Sequence, residues 1–176
     1  MQRDVVVRPA TAAEEPLIAG LFQFYAYDFS EMEPPGSTDM AFNAAGAFDP
    51  YPYLDDYWRA PDRWPLLILV GDELAGFALV NTHSHLTGGE VERNMAEFFV
   101  ARKHRHGGVA QQAVRQVLAR HPGRWEVAVV ERNVAAKSFW PKAITSAPGI
   151  ADLTRLEGDG EHWRGPIWTF VAASVD

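Results

Sequence analysis

The chain has 176 residues, is 47% apolar and carries a formal charge of −7. That length and apolar content predict one folded domain over 1–176, with a real core and no general disorder. The acidic balance excludes a general nucleic-acid binder, and the absence of cysteine excludes disulfides, thiolate metal sites and a cysteine nucleophile.

In chain order, Val5–Val7 reads as a short strand closed by Arg8-Pro9. A helix follows to about Asp28, with two competing starts. Thr11 with Glu14 matches a capping box, whereas Pro16 suits the first turn of a helix beginning near Glu15. Leu17, Leu21, Tyr25 and Asp28 recur at helical spacing, with Ile18 and Phe22 beside them, and predict a wide buried stripe. From Ser30 to Tyr53 prolines and glycines punctuate an acidic and aromatic stretch. One short helix is expected there, around Met40–Ala45, and a second over Leu54–Arg59 before Pro61. So long an irregular segment suits a binding loop or lid, or else a simple surface excursion.

Pro65–Val70, a turn at Gly71-Asp72, and Leu74–Thr82 predict an antiparallel hairpin. A polar loop with Gly88-Gly89 leads to a strand at Met95–Ala101. Next comes a basic turn, Arg102–Gly108, and a helix from Val109 stopped by His121-Pro122-Gly123. Trp125–Glu131 is a further strand. Asn133 caps a short helix, Val134–Trp140, which Pro141 kinks or ends. Asp152–Glu157 and Trp163–Ala172 close the chain as a hairpin. The expected class is α/β (α+β), with a mixed, mostly antiparallel sheet flanked by helices. No signal peptide is expected, and the longest apolar run, Leu66–Val70, is too short for a bilayer. A cytoplasmic protein with no membrane partner is the expectation.

The most informative stretch is Met95–Leu118. Ala110, Ala113, Val114, Val117 and Leu118 mark the buried face of its helix, and the turn before it holds Gly107-Gly108 among basic residues. No Ser, Thr, Asp or Asn stands at the cap position, so the first-turn N–H groups are free for a ligand. Those donors, the positive charge and the helix dipole together make an anion site, most naturally for a phosphate.

Arg105-His-Gly-Gly108-Val-Ala110 resembles the Arg/Gln-x-x-Gly-x-Gly/Ala signature of the GCN5-related N-acetyltransferase (GNAT) superfamily. Asn133-Val-Ala-Ala136-Lys-Ser-Phe139-Trp140 resembles that family's second motif, Asn-x-x-Ala-x-x-aromatic-Tyr. The order of predicted elements agrees over nearly the whole chain. The resemblance implies two central strands that splay apart, here Met95–Ala101 and Trp125–Glu131, with acetyl-CoA between them. It implies that the backbone of Phe99, Val100 and Ala101 pairs with the pantetheine arm. It also implies that the amides of Arg105, His106, Gly107, Gly108, Val109 and Ala110 hold the pyrophosphate. Direct acetyl transfer to an amine of a small molecule or a protein would follow. A backbone N–H near Phe99 or Val100 would then meet the developing oxyanion.

Glu97, the one acid in an apolar strand, is the candidate base, since burial would raise its pKa. Its alternatives are a place at the strand's exposed start or an ion pair with Arg93. Trp140 departs from the family, standing where many members carry a tyrosine that protonates the thiolate. Indole is a very poor acid, so Trp140 is expected to pack against CoA or the core. Pro141-Lys-Ala-Ile replaces the usual Gly-Phe. Asn133 either touches CoA or is a plain helix cap, and Arg102, Lys103 and Arg105 suit phosphate contact. His83 and His85 lack a third ligand, and no metal is expected. Asp28, Glu31 and Glu33 with Tyr25 and Tyr27 read either as a site for a cationic acceptor or as a solvated acidic face. A non-catalytic acyl-CoA-binding module is the competing function. An exposed edge strand near the C-terminus could pair two copies into a homodimer.

Overall fold

The computed structural model describes residues 4–174. Seven strands form one sheet in the order β1-β2-β3-β4-β5-β7-β6. They are β1 (Val5–Pro9), β2 (Trp64–Val70), β3 (Glu73–His83), β4 (Glu90–Val100), β5 (Gly123–Ala128), β6 (Ile150–Glu157) and β7 (Pro166–Ala172). Every neighbouring pair is antiparallel except β4 and β5. The helices are α1 (Glu15–Ser30), α2 (Val109–Arg120) and α3 (Val134–Thr145).

The near-continuous apolar run of β2 has a simple cause: it is buried on both faces. Leu66 and Ile68 join the core that α2 and α3 build with β1 on one side, and Leu67 joins the core under α1 on the other. Phe77 and Leu79 in β3 face α1, while Ala78 and Val80 face α2 and α3. The sheet is therefore a filled middle layer.

Both expected starts of the first helix are used. Glu14 accepts from Thr11 N and Oγ1 to cap a 3-10 turn, Ala12–Glu14, and α1 then opens with Pro16 in its first turn. The buried stripe is Ile18, Phe22 and Ala26, whereas Leu17 is exposed, so the face lies one residue round from the expected one.

Three expected elements need correction. Met40–Ala45 is not helical, because the Asn43 side chain accepts from the N–H groups of Ala45 and Ala47 and fixes a turn instead. The expected helix at Leu54–Arg59 is only a 3-10 turn, Asp55–Trp58. The third helix runs through Pro141 to Thr145. Fully buried Ala143 and Ile144 hold the extra turn against the core, and that packing outweighs the one donor a proline removes. Strand bounds also shift. β5 leaves the ladder after Ala128, and β4 begins at Glu90, five residues before the expected start at Met95.

Between β4 and β5 only Arg93 opposite Trp125 and Asn94 opposite Glu126 pair. Beyond them the strands splay, and the β4 edge from Met95 onward faces open space. Gly76 in β3 is required beside that edge: a Cβ there would lie 2.0 Å from the Phe99 carbonyl oxygen, a backbone atom. Gly76→Ala should therefore cost about 2–3 kcal/mol as β3 and β4 are forced apart. Urea unfolding of the variant checks this.

Candidate active site

Two cavities meet at the splay. The first, about 740 Å³, lies over the N-terminus of α2, between the end of β4 and α3. The second, about 800 Å³, lies under the irregular segment and reaches β3, β4 and the stretch after β5. Tyr25, Met32, Phe98, Asn133 and Trp140 line both. A molecule in one cavity can thus reach a molecule in the other.

At the first cavity Gly107 and Gly108 both have positive φ, 74° and 76°. Gly108 is the N-cap of α2, and no side chain caps the helix. A left-handed pair ahead of an uncapped helix is a concave set of N–H donors that glycine adopts without strain. Phe99, Val100, Arg105, Gly108, Ala110, Asn133 and Trp140 line this cavity, as the sequence leads one to expect. The expected residues Ala101, His106, Gly107 and Val109 do not, and Val109 is fully buried under the turn.

The basic side chains are already engaged. Arg102 binds Asp28 Oδ1 at 2.7 Å, and Arg105 binds Asp28 Oδ2 and donates Nε to the Val100 carbonyl at 2.8 Å. Lys103 pairs with Glu73. Burial would raise the Asp28 carboxyl, but hydrogen bonds from Arg105 and Arg102 outweigh it and hold the group below its usual range. A ligand phosphate here meets backbone N–H groups first, and the two arginines only in competition with Asp28.

The β4 edge can be assigned residue by residue. Ala101 N–H donates to Ala75 O on the β3 side. Amides alternate sides along a strand, so Phe99 also points to β3, where it pairs with Phe77. Phe98 and Val100 turn their amides to the open side. Expected backbone contacts of Phe99 and Ala101 are thereby spent within the sheet, and Phe98 is the residue missed.

Glu97 lies on β4 where the two cavities approach. A register shift opposite Leu79 and Val80 leaves Ala96 as an extra residue, a bulge that re-aims the carboxylate toward α1. Tyr25 donates its hydroxyl to Glu97 Oε2. Burial pushes the Glu97 carboxyl up to about 7, with hydrogen bonds from Tyr25 and Tyr51 pulling the other way. The ion pair with Arg93 does not form: that guanidinium stacks 4.5 Å over the Trp64 ring. Nor is Glu97 at the strand's exposed start, which is Glu90.

Trp140 is buried between Phe98 and Phe139, edge-on to both, and its surface also walls the two cavities. It therefore serves core and cavity together. Asn133 caps α3, its Oδ1 accepting from Ala136 N at 2.9 Å. The acidic cluster is dispersed: Asp28 is held by the two arginines and Glu33 by Arg132 at 2.9 Å. A purely acidic site for a cationic acceptor is not assembled.

The second cavity is largely aromatic, with Tyr51, Tyr53 and Trp163 in its wall and Met40 from the irregular segment. His83 and His85 also line it, ring against ring at 4.9 Å, and burial followed by His83 lowers His85 to about 4. Among the described residues the one group of three potential metal ligands is Asp159, Glu161 and His162, all exposed and away from both cavities. Among them, too, no helix is long and apolar enough to cross a membrane.

Residues 26–144 match the model of the acetyltransferase (GNAT) family. The chain belongs to the GNAT acetyltransferase family. Its fold is similar to an acetyltransferase from Thermus thermophilus, at TM-score 0.61 and 17% identity over 97% of each chain. It is also similar to spermidine N-acetyltransferase from Vibrio cholerae, solved with CoA and spermine (TM-score 0.55, 11% identity, covering 94% of this chain and 93% of that one). The PaiA N-acetyltransferase from Thermoplasma acidophilum, solved with coenzyme A, is a third (TM-score 0.57, 9% identity, 97% and 99%). At such identities the agreement is one of fold. No curated protein matches the sequence at a significant level. Within this GNAT chain the signature turn and the end of β4 line the first cavity, whereas Val127 and Ala128 of β5 line the second.

Proposed function

We propose that this GNAT protein transfers an acetyl group from acetyl-CoA directly to a primary amine of a small molecule or an exposed protein amine. Glu97 carries the reading. An amine must be uncharged to attack, and a carboxyl raised to about 7 at the junction of two cavities can take its proton near neutral pH. The free amides of Gly107, Gly108 and the first turn of α2 suit the diphosphate, and the β4 edge suits the pantetheine arm. The Phe98 or Val100 N–H suits the carbonyl oxygen that gains charge.

The indole of Trp140 cannot act as the acid in place of the family's tyrosine, and solvent suffices: a free thiol has a pKa of about 8.5, so the departing thiolate can take its proton from water. Trp140→Tyr should then change kcat by less than about threefold at pH 8, because protonation of so weak a base does not limit the rate. Steady-state kinetics of that variant checks the point. The tryptophan also favours a second reading, a CoA-binding module without catalysis. Calorimetry with acetyl-CoA followed by thiol release over an amine panel separates the two. Turnover supports the transferase, and tight binding with no turnover of any amine supports the module.

A further inference from the structure

The charges that face the acceptor cavity are almost all accounted for. Arg132 is held by Glu33 at 2.9 Å, Glu97 is hydrogen-bonded to Tyr25, and burial keeps His85 neutral. Of the guanidinium and carboxylate groups, Arg63 is the one without such a partner. Its guanidinium lies 5.3 Å over the ring of buried Tyr57, and among the described residues it has no hydrogen bond or ion pair. Half-buried beside an aromatic wall, it presents planar N–H donors to the cavity with no acceptor of its own. Burial raises the Tyr51 and Tyr57 hydroxyls most, Glu97 raises each further and Arg63 lowers each, so both rings lie within electrostatic reach of both groups.

We propose that Arg63 receives a carboxylate carried by the acceptor, so that the substrate is an amino acid in the broad sense, with its amine at Glu97 and its carboxylate at Arg63. The inference rests on the transfer reading above. A carboxylate fits better than a phosphate, because a guanidinium fork matches two carboxylate oxygens. A phosphate's second charge would also need another cation, and Arg132 is already taken. The aromatic wall between the two ends suits an apolar or aromatic body joining amine and acid.

The test compares ligands that differ only in the carboxylate. Binding of 4-(acetamidomethyl)benzoate and of N-acetylphenylalanine is measured by calorimetry beside N-benzylacetamide. Wild type, Arg63→Gln and Arg63→Lys are used, with thermal melting to check folding. Thiol release from acetyl-CoA is then measured with 4-(aminomethyl)benzoate, phenylalanine, benzylamine and O-phosphoethanolamine.

The expected result is a preference for at least one carboxylate ligand of roughly 10- to 100-fold, the usual worth of a charge-assisted hydrogen bond. Arg63→Gln should collapse that ratio toward one, and Arg63→Lys should keep part of it. If Arg63→Gln does not fold, the wild-type ratio and Arg63→Lys still decide. Equal binding of the uncharged amide, a ratio unchanged in Arg63→Gln, a preference for the phosphorylated amine, or no binding of any ligand overturns the inference. Turnover of benzylamine as efficient as that of the amino acids overturns it while the transfer reading stands. Carboxylate binding through Arg63 with no thiol release from any amine does the reverse.

Discussion

Replacing Glu97 by Gln is expected to lower kcat by roughly a hundred- to ten-thousand-fold, the usual contribution of a positioned general base. Acetyl-CoA affinity should change little, since Glu97 does not line the first cavity. In the wild type, kcat/KM should rise tenfold per pH unit below about 7 and bend near the pKa of the Glu97 carboxyl. The base must be ionised to work, so activity is present above that pH and lost below it. An acceptor amine with its own pKa near 9 that binds as the ammonium adds a second, higher bend, above which wild-type activity falls. In Glu97→Gln only the higher bend should remain. A lower bend that persists would assign the base to another group, with His83 the next ionisable side chain lining the same cavity.

The same residue makes a prediction about stability with the opposite sign to activity. Burial raises the Glu97 carboxyl from 4.5 in the unfolded chain to about 7 in the folded one. The folded state therefore prefers the protonated form. Whatever stability that form gives is complete below pH 4.5 and declines as pH rises through 7. A difference of that size corresponds to about 3 kcal/mol at most. Gln keeps an acceptor for the Tyr25 hydroxyl and never ionises. Glu97→Gln should thus melt higher than wild type at pH 8 and about the same at pH 4. A carboxylate held unfavourably for chemistry is expected to cost stability in this way.

The uncapped glycine turn ahead of α2 could be read from the sequence because its determinants are local. Gly107-Gly108 before an uncapped helix requires nothing from distant parts of the chain, and the α2 stripe repeats within one element. The β2–β3 hairpin was equally legible, since an apolar run, a Gly-Asp turn and a second run are adjacent. The features that were not legible are set by tertiary contact. Arg102 and Arg105 look like phosphate ligands until α1 brings Asp28 from 74 and 77 residues away. The bulge at Ala96 depends on the pairing register with β3. Met40–Ala45 has helix-forming alanines, yet Asn43 diverts its backbone into a turn. Arg63 carried no signal at all, because what distinguishes it is the pairing of the other guanidinium and of the carboxylates around it. The second cavity is assembled from an irregular segment, strands and loops, and no spacing in one element encodes it.

Glutamate at position 108 is expected to abolish tight acetyl-CoA binding, raising Kd by about 100-fold or more through charge repulsion at the helix N-terminus. The geometry allows a clean control. A Cβ at Gly108 would meet nothing closer than Gln112 Nε2 at 3.8 Å, so the position is sterically open toward the cavity. Its φ of 76° is the remaining obstacle, worth about 1–2 kcal/mol for a non-glycine residue. Gly108→Ala carries that strain without the charge, and should lose some thermal stability but less than about tenfold in affinity. Gly108→Glu adds a carboxylate where the diphosphate is expected. Arg105→Ala gives a second contrast: its guanidinium is already neutralised by Asp28, so its loss should matter less than the charge at 108. The order Gly108→Glu, then Arg105→Ala, then Gly108→Ala, measured by calorimetry, would mean that backbone amides dominate the phosphate grip. Equal losses in Gly108→Ala and Gly108→Glu would instead mean that turn conformation alone governs binding. Unchanged affinity in Gly108→Glu would move the diphosphate away from α2 altogether.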